Sequence, residues 1–151
     1  GMRIVIQRVK HASVSIDNNV KSAIEQGLLI LLGVGENDSE DDANWLVKKV
    51  VGLRIFDDEA GVMNRSIMDI NGEALVVSQF TLMASYKKGN RPSYIHAAKH
   101  EISVPLYQYF CKELSAAMGK KVGEGEFGAD MKVELLNDGP VTICMDTKNK
   151  E

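Results

Sequence analysis

The chain begins with short-period alternation. Met2–Val9 carries Ile4 and Ile6 on one face and Val5 on the other, which predicts a mostly buried strand. Ala12–Ile16 alternates more cleanly, with Val14 and Ile16 on one side and Ser13 and Ser15 on the other. Asp17-Asn18-Asn19 predicts a turn, because Asx side chains bond to nearby backbone, and Val20–Ile24 returns as the second arm of a hairpin. Gly27–Val34 is almost continuously apolar, as a central strand covered on both faces must be.

The period then lengthens. Ser39 is placed to cap a helix whose first turn holds Glu40, Asp41 and Asp42, anions that suit the positive end of the helix dipole. Ala43, Leu46, Val47, Val50 and Val51 form its apolar stripe, and Gly52 ends it. Leu53–Phe56 predicts a short strand, Asp57–Gly61 a loop, and Ile70-Asn71-Gly72 a turn into the strand Leu75–Val77. A second helix is predicted with Ser103 as cap, Pro105 in its first turn, Tyr107, Phe110, Cys111, Leu114, Ala117 and Met118 inward, and Gly119 as its stop. Met131–Leu136 and Val141–Asp146 complete the pattern as strands joined by a turn at Asn137–Pro140, and residues 147–151 read as a frayed tail. Seven or eight strands and two main helices make a mixed, strand-rich α/β fold in a single domain over residues 2–146, without repeats or linkers. Gly1 ahead of Met2 resembles a tag-cleavage scar and is set aside.

Totals add limits. With 151 residues, 44% hydrophobic and 26% charged, the chain can bury a real core. Cys111 and Cys144 are far apart and lack a C-x-x-C spacing, which argues against a disulfide scaffold or structural zinc and predicts two small core residues. The apolar run Leu28–Leu32 is too short to span a bilayer, no signal-peptide pattern is visible, and the expected compartment is the cytoplasm. The formal charge of −3 does not advertise nucleic-acid binding, but its distribution is uneven. No acid occurs between Ala74 and His100, a window holding Lys87, Lys88, Arg91 and Lys99; none occurs in Met2–Ile16 either, which carries Arg3, Arg8, Lys10 and His11. Brought together, these stretches make an anion-binding surface; kept apart, they are solvated faces.

Candidate chemistry centres on Ala74–Leu82, A-L-V-V-S-Q-F-T-L. A buried strand here ends in Ser78, Gln79 and Thr81, and a buried hydroxyl or amide without a partner costs about 1–3 kcal/mol. Either these groups bond to neighbouring backbone or they build a site. Gly123–Gly128 matches G-x-G-x-x-G, yet it follows a helix, leads into a strand and places two glutamates where a pyrophosphate would sit, so it is read as a shaped loop. His96 and His100 lack the H-E-x-x-H order and a third ligand, so no metal is assigned; no cofactor motif occurs. Gly139-Pro140 within Asn137–Thr142 rigidifies a turn.

Taken together, S-Q-F-T-L at Ser78–Leu82 and N-D-G-P-V-T at Asn137–Thr142 resemble the D-aminoacyl-tRNA deacylase family, and the likeness runs from Met2 to about Asp146 through Arg3–Val9, Leu28–Val34, Leu53–Phe56, Gly89–Ser93 and Phe127–Met131. His100 stands where the family often has proline, and Ser85-Tyr86 replaces a more usual Asp-Thr. The resemblance implies a homodimer with active sites at the subunit interface and no cofactor. Each pocket takes Ser78, Gln79, Phe80 and Thr81 from one subunit and a cis Gly139-Pro140 from the other, braced by Arg8. It implies hydrolysis of the ester of D-aminoacyl-tRNA, with glycyl-tRNA as a further substrate class, and Lys87, Lys88 and Arg91 with the Arg3–His11 stretch as the surface that receives tRNA. Two mechanisms follow: Thr81 as nucleophile, or water helped by the substrate's 2′-hydroxyl, with main-chain donors around Phe80 and Thr81. A non-catalytic RNA-binding dimer and a small-ester hydrolase using Thr81 are the alternatives.

Overall fold

In the computed structural model, which describes residues Gly1–Glu151, strand β1 (Arg3–Ile16) is the axis of the molecule. It is one strand where the alternation suggests two. Both its edges are occupied: β8 (Lys132–Asp146) runs antiparallel along one side, while β3 (Gly27–Gly33) and then β2 (Asn19–Ile24) take the other. β8 pairs with β1 on both sides of the polar Lys10-His11 step, with a shift of register at Lys10. β3 pairs in parallel with β6 (Glu73–Ser78), and β6 with the short β7 (Gly123–Glu124), giving a mixed sheet in the order β2-β1-β3-β6-β7 with β8 on β1.

The two faces of β3 enter separate cores. Leu28, Ile30 and Leu32 join Ile4, Ile6 and Val76 beneath helices α1 (Glu40–Gly52) and α2 (His100–Met118). Leu29 joins Val9, Val14, Ile24, Leu75 and Val77 on the opposite face, with Val133 and Leu135 of β8 against them. That second core exists because the sheet curls on itself into a barrel-like layer, as the continuous apolar run requires.

Several elements differ from expectation. Asn137–Pro140 is not a hairpin turn. β8 runs through it, but between the pairs Gln7↔Thr142 and Val9↔Asn137 the segment Asp138–Val141 stands opposite Arg8 alone and bulges out of the ladder. Pro140 has no N–H to give to a ladder, which favours this solution. Leu53–Ile55 is not strand; β4 (Phe56–Asp57) pairs instead with β5 (Met63–Arg65) in a separate ribbon, turned by Asp58, whose carboxylate accepts the Ala60 and Val62 amides. α2 starts at His100, so Ser103 and Pro105 lie inside it. Cys111 is buried, but Cys144 is exposed on β8. The tail is anchored where it begins: Thr147 is buried, its hydroxyl accepts the Met2 amide at 3.0 Å, and Lys148 pairs with the buried Asp42 at 3.1 Å.

Candidate active site

The S-Q-F-T-L stretch sits where β6 leaves the sheet. Ser78 is the last residue in register with β3, opposite Leu32, and the Gln79 amide donates to the Leu32 carbonyl at 2.8 Å. The chain then closes into a single 3-10 turn, Phe80–Met83. Gly33 at the end of β3 permits this: a Cβ there would lie 3.0 Å from Leu82 Cβ and 3.1 Å from the Gln79 carbonyl oxygen, too close for comfort on both sides.

Within the turn, Gln79 Nε2 donates to Thr81 Oγ1 at 2.6 Å. The amides of Phe80 and Thr81 donate to no acceptor in the chain. Phe80 is 56% exposed, and its ring meets Tyr94 edge-on, with centroids 4.9 Å apart. These groups form one wall of a cleft of about 610 Å³, closed on the other sides by the start of α2 and the Phe127–Met131 segment. Phe127 is held between His100 (5.4 Å) and Tyr107 (5.9 Å), both edge-on. Tyr107 is anchored by its hydroxyl donating to the Val76 carbonyl at 2.8 Å, and burial pushes its phenol well above the ordinary range.

No carboxylate lines the cleft. His100 is its one imidazole, and it packs on Phe127 without a hydrogen bond to Thr81. His96 pairs with Glu36 at 3.1 Å, outside the cleft. Burial pushes the Cys111 thiol up to about 12, so it is protonated and inert at neutral pH. No cluster of three or more His, Cys, Asp or Glu side chains is arranged to hold a metal ion. The chemistry available at the 3-10 turn is that of main-chain N–H donors, hydroxyls and a carboxamide, with the Lys99 ammonium and the His100 imidazole elsewhere on the cleft wall.

Gly139 and Pro140 lie elsewhere. They are exposed at the β8 bulge and line no part of this cleft. The Gly139–Pro140 bond is cis, and Gly139 has φ of 130°, open only to glycine. Arg8 is almost wholly buried behind them. Its Nε donates to the Asp138 carbonyl at 2.9 Å and its Nη1 to the Ile55 carbonyl at 2.6 Å, with the carboxylates of Asp57 (3.5 Å) and Asp138 (3.6 Å) alongside.

The two basic stretches touch at Arg3, which lines a shallow pocket with Ala84, Ser85 and His96. Arg3 donates to the Leu82 carbonyl at 2.9 Å and to Asp146 at 3.0 Å, Arg8 is buried, and Lys10 lies 3.6 Å from Asp138. Of the basic residues in the Arg3–His11 stretch only Arg8 is buried; Arg3 and Lys10 stay exposed although each lies beside an aspartate, and His11 is exposed. Lys87, Lys88 and Arg91 are different. They are exposed, have no acidic partner, and sit on a loop closed at its base by reciprocal Ser85–Ser93 backbone bonds at 2.7 Å. That base leads directly into Tyr94, a residue of the cleft wall.

Sequence reasoning missed Tyr94, Phe127, His100 and Ser103 as cleft residues. The aromatic residues carry no local signal; only the meeting of three separate segments makes them a wall.

Fold and cleft define a class: small mixed α/β domains with a main-chain-lined pocket at the end of a central strand. A solved structure of c-Myc DNA Unwinding Element Binding Protein shares the architecture at a TM-score of 0.91 and 38% identity, covering 95% of this chain and 97% of that one. The family model described as D-Tyr-tRNA(Tyr) deacylase matches residues 5–146, and the chain belongs to that family. It is 71% identical over 150 residues to the D-aminoacyl-tRNA deacylase of Bacteroides thetaiotaomicron and 69% identical to that of Phocaeicola vulgatus, in each case over 99% of this chain and all of the relative.

Proposed function

We propose that the chain hydrolyses the ester between a D-amino acid and the terminal adenosine of tRNA, releasing both. The observation that carries this is the pair of unengaged amides, Phe80 and Thr81, facing a cleft without any carboxylate. Water attacks the ester carbonyl, and charge develops on its oxygen. Preorganised N–H donors at that point account for much of the rate enhancement in such reactions. The adenosine's free hydroxyl assists the proton transfers, and the sugar oxygen leaves with a proton. Thr81 is a poor nucleophile here. Its hydroxyl is held by a carboxamide, which is no base in either orientation, and no imidazole is bonded to it.

Chiral selection is assigned to Gly139-Pro140 of a second copy, with the two chains forming a homodimer. The two motifs are separate within one chain, and the bulge is exposed and backed by the buried Arg8. A rigid wall is what rejection of one enantiomer demands. Lys87, Lys88 and Arg91 hold the tRNA backbone. No helix is long and apolar enough to cross a membrane, and an aminoacyl-tRNA substrate places the work in the cytoplasm.

A second reading, a nucleic-acid-binding protein without catalysis, is favoured by the DNA-binding name carried by a relative of 38% identity. Incubation with D-tyrosyl-tRNA separates the two. Release of free D-tyrosine supports the deacylase; an intact aminoacyl-tRNA held in a stable complex supports the binder. Sedimentation at twice the 16.6 kDa chain mass supports the composite site, and a monomer that turns over substrate contradicts it.

A further inference from the structure

The far wall of the cleft is the first turn of α2, and it is unusual in three respects. The residue at the N-cap is Lys99, which has no side-chain oxygen to accept a bond, and no side chain caps this helix. The amides of His100 and Glu101 donate to nothing in the chain, whereas those of Ile102 and Ser103 reach the Lys99 carbonyl at 2.9 Å. Ser103 lines the cleft, is 5% exposed, and carries the one buried side-chain polar atom of the protein without a hydrogen-bond partner. A buried hydroxyl left unpaired is costly, and in a folded protein it calls for a partner.

The charges agree with the backbone. Lys99 and His100 both line the cleft, and neither has an acidic partner. Glu101, Glu126 and Asp130, acids next in sequence to cleft residues, do not line it, and Asp130 pairs with Lys132. An uncapped positive helix end, a lysine, an imidazole and an orphan hydroxyl therefore converge on one side of a cleft whose opposite wall holds the Phe80 and Thr81 amides. Free helix N–H groups and the dipole make such a terminus an anion site, and phosphate is the anion it suits best.

We propose that the start of α2, through Lys99, His100 and Ser103, binds the phosphodiester on the 5′ side of the terminal adenosine. This rests on the tRNA-ester reading of the same cleft. Two anchors would then fix the last nucleotide: the phosphate at α2 and the ester at the 3-10 turn. The site would recognise a nucleotide rather than a nucleoside, independently of the amino acid.

The test compares two small esters, D-alanine on the 3′ oxygen of adenosine and the same ester on adenosine 5′-monophosphate. The expected result is a kcat/KM for the phosphorylated ester higher by roughly ten- to a hundredfold, the range of one or two charge-assisted contacts at a helix end. Lys99→Ala and Ser103→Ala should each move that ratio towards one, and His100→Gln should lower it in part. Equal use of both esters by the unaltered protein, or a ratio that survives all three substitutions, overturns the proposal while leaving the deacylase reading intact. If neither ester is cleaved, the catalytic reading is what suffers, and calorimetric binding decides the site. Tighter binding of adenosine 5′-monophosphate than adenosine, lost in Lys99→Ala, upholds it; equal binding of the two overturns it.

Discussion

Gln79 Nε2 and Thr81 Oγ1 lie 2.6 Å apart, joined by a hydrogen bond across the first turn after β6. This bond fixes the backbone between them, and that backbone carries the Phe80 and Thr81 amides. On the proposed mechanism Thr81 acts through position and not as a nucleophile. Thr81→Ala should reduce kcat on D-tyrosyl-tRNA by about tenfold, the scale of one lost positioning hydrogen bond. A loss of about a thousandfold or more, as deletion of a true nucleophile produces, would assign Thr81 the covalent role.

Arg8 is predicted to couple stability to stereoselectivity. Arg8→Ala strips buried donors from the Asp138 and Ile55 carbonyls and should cost about 3 kcal/mol in chemical denaturation. It should also loosen the Asp138–Val141 bulge and raise cleavage of L-tyrosyl-tRNA relative to the D form. Arg8→Lys should not restore selectivity, because one ammonium cannot reproduce the planar fork that spans both carbonyls. Unchanged selectivity in a folded Arg8→Ala protein would remove Arg8 from this role.

The basic loop makes a prediction about salt. Replacing Lys87, Lys88 and Arg91 together by Gln should weaken tRNA binding and flatten the slope of log affinity against log salt by roughly 2 to 3, if each cation neutralises one phosphate. The aminoacyl specificity should not move. An unchanged slope would show that the loop does not touch RNA.

Acid should loosen the anchored tail. The Asp42 carboxyl feels burial, which pushes it up, but bonds from Thr147, the Ser39 amide and Lys148 outweigh this and hold it below its ordinary 3.8. Asp146 is likewise held down, against burial, by the Lys148 amide and Arg3. A carboxyl with a lower pKa folded than unfolded stabilises fully above the unfolded value and loses that contribution as pH falls through the folded one. Asp38 runs the other way, since burial raises it, and it offsets part of the effect. Stability should therefore fall below about pH 4. Asp42→Asn should shrink that loss and lower stability at neutral pH by about 1–2 kcal/mol, the worth of a capping and ion-pairing carboxylate. Denaturation midpoints of both proteins at pH 7 and pH 3 measure this.

Much of this molecule is legible in the sequence because periodicity and caps are local. The unbroken apolar run at Gly27–Val34 marks a strand with two covered faces, and Ser39 with Asp42 caps α1. Misreadings come where long-range pairing decides. Asn137-Asp138-Gly139-Pro140 has turn chemistry, but β1 offers a partner over its whole length, and the turn becomes a bulge. Ser103 resembles a cap, yet α2 begins three residues earlier at His100, ahead of which stands a lysine. The acid-free run Arg3–His11 meets Asp57, Asp138 and Asp146, acids distant in sequence that no local reading pairs with it, yet of its basic residues Arg8 alone is buried. S-Q-F-T-L was conspicuous for its polar groups; what it contributes to the cleft is the backbone those groups hold, which no residue letter displays.

The central claim is stereospecific ester hydrolysis at this cleft, and parallel time courses with D-tyrosyl-tRNA and L-tyrosyl-tRNA test it most directly. The expected result is rapid loss of the D ester, with an L ester that decays no faster than without protein, a ratio of at least roughly a hundredfold. Comparable hydrolysis of both esters, or none of either, would contradict it.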